Sequence, residues 1–153
     1  MRILAHALSI FAFLSITLSP YSQAAERGTA DEAIAMVKRA VALIKAKGKE
    51  EAFAEINNLK GAFIDRDLYV SVLDEKGVML ATGGNARLIN KDLIDLKDTD
   101  GKFIIKEHID MAQKRGSGWI HYKWINPTTK AIQSKSTYVE KLEDLIITCG
   151  IYK

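Results

Sequence analysis

The chain has 153 residues, 22 of them basic and 19 acidic, a formal net charge of +3 and a single cysteine, Cys149. One cysteine excludes an internal disulfide framework, and basic residues scattered among acids argue against nucleic acid as a partner. Stability has to come from an apolar core, which a chain of this length builds as a single domain.

Arg2 is followed by an apolar run from Ile3 to Leu18, then Pro20 and Ser22-Gln23-Ala24. This is the pattern of a secretory signal peptide with a small-x-small cleavage site. The run is shorter than the ~20 residues that span a bilayer, and Ser9, Ser15 and Thr17 dilute it. Residues 1–24 are therefore assigned as a signal peptide cleaved after Ala24 rather than kept as an anchor. Residues 25–153 form the exported domain, periplasmic or secreted.

From Thr29 to Gly48, Ala33, Ile34, Val37, Val41 and Ile44 recur at three- and four-residue steps, predicting an amphipathic helix. Thr29 and Glu32 have capping-box spacing, and Lys45, Lys47 and Gly48 suit the C-terminus. A shorter helix over 49–59 is predicted with Phe53, Ile56 and Leu59 on one side. Leu68–Leu73, Asp74-Glu75-Lys76-Gly77 and Val78–Thr82 read as strand, tight turn and strand. The segment 83–101 is a loop whose Leu88, Ile89, Leu93, Ile94 and Leu96 predict that it packs over something. A third helix is expected over 102–115, stopped by Gly116, then strands over 118–124, 132–139 and 145–152. Cys149 lies in the apolar run Leu145-Ile146-Ile147-Thr148-Cys149 and reads as a small buried hydrophobe.

This order predicts an α+β domain, a five-stranded antiparallel sheet with a long N-terminal helix on one face. The loop 83–101 and the third helix are left to cap the other face, and a cleft beneath them suits a ligand.

The hairpin Tyr69–Thr82 with Asp74 and Gly77, the run Asp98-Thr99-Asp100-Gly101-Lys102 and the strand Gly118–Trp124 with Asn126-Pro127 form a recognisable series with Lys135, Tyr138-Val139 and Gly150-Ile151-Tyr152. In order and spacing they resemble the single Cache domain of the second type, over about Asp31–Tyr152. The resemblance implies a PAS-like sheet and an extracytoplasmic sensor that binds small carboxylates, amino acids or similar metabolites, as in chemoreceptors, histidine kinases and cyclases. The sequence ends just after the last predicted strand, so signalling is expected to pass through a partner such as a membrane receptor or kinase. A different reading is an interaction protein with a vestigial pocket, docking on a receptor or forming a homodimer through the N-terminal helix.

Alternation places Tyr122 and Trp124 on one strand face with Ile120, and Trp119, His121 and Lys123 on the other. The family pattern points to Tyr122 and Trp124 as pocket-lining, with core filling the other reading. The resemblance also draws Lys135 inward, where a lysine needs an anion such as a ligand carboxylate; an outward, solvated lysine is the alternative. Tyr138 is a further candidate, although parity puts it opposite Lys135 unless a bulge or strand end intervenes. Tyr69 shares parity with Ser71 and either reaches the ligand from the sheet floor or packs as an aromatic. His121 reads as a surface residue and His108 as a structural one. Zinc spacing is absent, and Asp95, Asp98 and Asp100 miss the EF-hand spacing, so a turn and helix N-cap is the better account of them. No nucleophile and base arrangement stands out, and neither enzyme activity, nor a metal, nor a cofactor is expected.

Overall fold

A computed structural model describes residues 27–153; the signal-peptide assignment over 1–24 lies outside the described residues. Helix α1 (Ala30–Lys47) starts at the predicted capping box. The Thr29 hydroxyl accepts from the Glu32 N–H at 3.3 Å, and the Glu32 carboxylate accepts from the Thr29 N–H at 2.8 Å. Its buried stripe is Ala33, Met36, Val37, Ala40, Val41 and Ile44. Gly48, at φ 85°, turns the chain into α2 (Lys49–Asn57).

Helix α2 ends earlier than the pattern predicts. Asn58 is extended and Gly61 N–H closes a turn on the Asn58 carbonyl, which leaves Leu59 64% exposed rather than on the face of Phe53 and Ile56. A two-residue strand β1 (Ile64–Asp65), too short to show a period, precedes β2 (Leu68–Asp74) and β3 (Met79–Thr82). The β2–β3 turn is held by Asp74, whose Oδ1 accepts from the N–H groups of Lys76 and Val78, and by Gly77 at φ 92°. Helix α3 (Ile104–Arg115) then leads into β4 (Ser117–Ile125), β5 (Ile132–Leu142) and β6 (Leu145–Tyr152).

The strands pair antiparallel in the order β1-β2-β6-β5-β4, with β3 also on β2. The five predicted strands are all present, with β1 in addition. On one face α1 and α2 bury Leu68, Val70, Val72, Leu145, Ile147 and Cys149. Each such side chain removed from water stabilises the fold by about 1.5–3 kcal/mol before ordering costs, so this face is the main anchor of the fold. The apolar stripe of α1 is taken up by the chain's own sheet.

The opposite face, carrying Leu73, Ile120, Val139 and Ile146, is covered by Ile104, Ile105 and Ala112 of α3 and by Leu93 of the 83–101 loop. The loop is organised as the aspartates require, with one correction. Asp98 Oδ1 accepts from the N–H groups of Asp100 and Lys102, and Oδ2 from Lys123 N–H of β4 at 3.0 Å. The helix N-cap is Phe103, which makes no side-chain cap, so Asp98 ties the loop to the sheet instead. No cluster of three or more His, Cys, Asp or Glu able to hold a metal occurs among the described residues. Nor is any described helix long and apolar enough to cross a membrane.

Candidate functional site

Between the sheet and its α3-and-loop cover lies a cavity of about 290 Å³, at the small end of ligand sites. Its roof is apolar, with Leu88, Leu93 and Leu96 from the loop and Ile104 and Ile105 from α3. Its floor is polar and comes from alternate positions of four strands: Tyr69 and Ser71, Tyr122 and Trp124, Lys135 and Thr137, Thr148 and Gly150.

Lys135 is the centre of that floor. It pairs across the sheet with Tyr122 of β4 and Tyr152 of β6 and is only 3% exposed. Its Nζ donates to Tyr69 Oη at 2.6 Å and to Tyr152 Oη at 3.1 Å, and lies 3.9 Å from the centre of the Tyr69 ring. Tyr152 passes its own proton to the Ile125 carbonyl at 2.9 Å, which leaves its oxygen to accept from the lysine. Gly150 makes room for this arrangement. A Cβ there would lie 2.3 Å from Lys135 Cε and 2.5 Å from Thr137 Oγ1. Gly84 does the same for the Tyr69 ring.

No carboxylate comes within 4.0 Å of the lysine among the described residues, and no Asp or Glu lines the cavity. Two neutral phenols cannot replace the hydration of an ammonium, so burial pushes Lys135 from 10.5 down to about 7, against weaker pulls upward from Cys149 and Asp67. Burial likewise drives the phenols of Tyr69 and Tyr122 well above their usual range, so both are neutral donors and acceptors. The site offers one buried cation, Lys135, an exposed lysine, Lys130, in its lining, several hydroxyls and an apolar roof.

Of the residues expected at the site, Tyr69, Tyr122, Trp124 and Lys135 are brought together on the floor. Tyr138 is not. The β5 registers with β4 and β6 run unbroken from Lys135 to Tyr138, so no bulge rescues the parity. Tyr138 faces α1, its ring 5.5 Å from that of Trp119 and its hydroxyl on Glu140, which is paired with Lys38 of α1. His121 is exposed, with Nδ1 on Ser136 Oγ.

Sequence reasoning did not place His108, expected to be structural, at the cavity, nor Ser71, Thr137, Thr148 and Lys130. His108 lines the cavity, is 3% exposed, and packs its ring edge-on to Tyr122 with centroids 5.7 Å apart. Its Nδ1 lies 2.7 Å from the Ile104 carbonyl. The position on the stripe of Ile104, Ile105 and Ala112 was a signal that it pointed inward; nothing local says that a cavity waits there.

The family model of the Single Cache domain 2 matches residues 15–153. The fold is similar to the crystal structure of a methyl-accepting chemotaxis protein from Vibrio parahaemolyticus RIMD 2210633, with a TM-score of 0.71 and 28% identity over 80% of this chain and 86% of that one. A solved Cache chemosensory domain, described for its recognition of carboxylic acids, superposes with a TM-score of 0.67 at 22% identity over 80% of this chain and 91% of that one. Methyl-accepting chemotaxis protein McpP of Pseudomonas putida KT2440 is 27% identical over 90 residues. That match takes in 58% of this chain but only 16% of the length of the relative. With a sheet, helical cover and cavity that agree with a match over almost its whole length, the chain belongs to the single Cache domain 2 family of ligand-binding sensor domains.

Proposed function

We propose that this domain is an extracytoplasmic sensor for a short carboxylate, held with its anionic end on Lys135 and its carbon chain under the leucines and isoleucines of the roof. The observation that carries the reading is a buried lysine on a cavity floor with no acid beside it. A carboxylate supplies the missing counter-charge and converts an unfavourable buried cation into a charge-assisted pair. The lack of any lining acid, with Lys130 in the lining beside Lys135, disfavours a ligand ammonium, so the amino acids drop behind the simple acids.

The carboxylic-acid recognition described for a Cache domain of the same fold supports this chemistry. Signalling is assigned to a receptor or kinase, since similar domains are found in chemotaxis proteins. Isothermal titration of the purified protein with acetate, propanoate, succinate and glycine tests the ligand class. Binding of the monocarboxylates, lost in Lys135→Met, is the expected result. Binding that is unaffected by that change, or a panel without heat, would sink the proposal.

A further inference from the structure

The floor accounts for the carboxylate but leaves one acceptor of the cavity wall without a partner in the protein. His108 Nδ1 sits 2.7 Å from the Ile104 carbonyl oxygen, which has no proton to give, so Nδ1 carries the hydrogen. Burial, reinforced by the positive charge of Lys135, brings His108 down to about 4, so the ring is neutral and its Nε2 holds a bare lone pair. Nε2 has no hydrogen-bond partner among the described residues, and it is not sealed inside the protein: the unpartnered side-chain atom fully shut from solvent is Asp67 Oδ2, so Nε2 is open to the cavity that the His108 ring lines. An acceptor open to the cavity is covered when a ligand binds, and it then selects for what that ligand presents to it.

The hydroxyls around it do not discriminate in this way. Tyr122 and Thr137, paired at 2.9 Å, can each rotate a proton to donate or accept. A histidine locked in one tautomer can only accept. The group it recognises must therefore be a donor. An ammonium is a poor choice, because it would lie in a cavity that already holds Lys135 and has no lining Asp or Glu.

We infer that His108 is a specificity-determining residue that selects a short hydroxy acid, whose hydroxyl donates to Nε2 while its carboxylate meets Lys135. This rests on the carboxylate reading of the same cavity and goes one step further, to the second functional group of the ligand. A keto acid would present oxygen to a lone pair and gain nothing. A plain acid would leave Nε2 unsatisfied.

The test compares propanoate, 2-hydroxypropanoate, 2-methoxypropanoate and 2-oxopropanoate by calorimetry on the purified protein at pH 7. The hydroxy acid should bind about fivefold or more tightly than propanoate, as one neutral hydrogen bond implies, while the ether and the keto acid show no gain. In His108→Phe the ratio of hydroxy acid to plain acid affinity should fall toward one. If that variant does not fold, the four ligands on the unaltered protein still decide the matter. A hydroxy acid no tighter than propanoate, a keto acid that matches it, or a preference that survives His108→Phe would overturn the assignment and leave the carboxylate reading standing. Failure of all four acids to bind would overturn both.

Discussion

Replacing Lys135 by methionine should make the ligand-free protein more stable while abolishing carboxylate binding. The change keeps a long unbranched side chain in the same channel and removes the charge. Lowering a lysine from 10.5 to about 7 corresponds to roughly 5 kcal/mol of destabilisation wherever both folded and unfolded states hold the proton, that is, below about pH 7. Against this stands the loss of the hydrogen bonds to Tyr69 and Tyr152, about 1–2 kcal/mol together once the two phenols, already 3.4 Å apart, turn to each other. The net gain for Lys135→Met at pH 6.5 is therefore about 3 kcal/mol. Because the folded state releases this proton before the unfolded chain does, the stability of the unaltered protein rises with pH between about 7 and 10.5, and the advantage of the variant closes by about pH 9.5. Urea unfolding of both proteins at pH 6.5, 8 and 9.5 measures it. A variant less stable than its parent at pH 6.5, or a difference that does not change with pH, would refute the picture of a lysine held without a counter-ion.

Further outcomes follow from the same geometry. Affinity for a carboxylate should fall as pH rises from 7 to 9, since the anion needs the protonated lysine; titrations in buffers of different ionisation enthalpy should also show proton uptake at pH 8. Gly150→Ala puts a methyl group 2.3 Å from Lys135 Cε, so carboxylate binding should drop at least tenfold by calorimetry while circular dichroism reports an intact fold. Tyr138→Phe should leave carboxylate affinity unchanged, because that side chain faces α1; a loss of binding would contradict the placement of the cavity. Thr29→Ala removes the hydroxyl of the α1 capping box and should cost about 1 kcal/mol in urea unfolding without altering affinity.

Much of this molecule follows from short-range rules. The capping box of α1, the 3.6-residue stripe behind it, the Asp74–Gly77 turn, the side-chain parity along β4 and β5 and the apolar run of β6 depend on neighbours within a few positions, so they are visible in the amino-acid order. Parity alone separates Lys135 from Tyr138. The family likeness, carried by spaced residues from Tyr69 to Tyr152, pointed to the inward lysine.

What tertiary structure decided is which face is which and what each face meets. Alternation says that Lys135 and Tyr138 part company, but only the packing of α1 on one side and of α3 with the 83–101 loop on the other makes the lysine face the cavity and the tyrosine the core. Gly150 and Gly84 look like ordinary glycines until the side chains of Lys135 and Tyr69 are seen filling the space a Cβ would take. His108 has the spacing of a core residue in both views. Its unpaired nitrogen becomes a ligand contact only because a sheet strand 14 residues later in the chain brings Tyr122 against its ring and leaves a cavity beside them. Periodicity records which side of an element is hidden from water; whether the hidden side meets packed atoms or a cavity depends on residues far away in the chain.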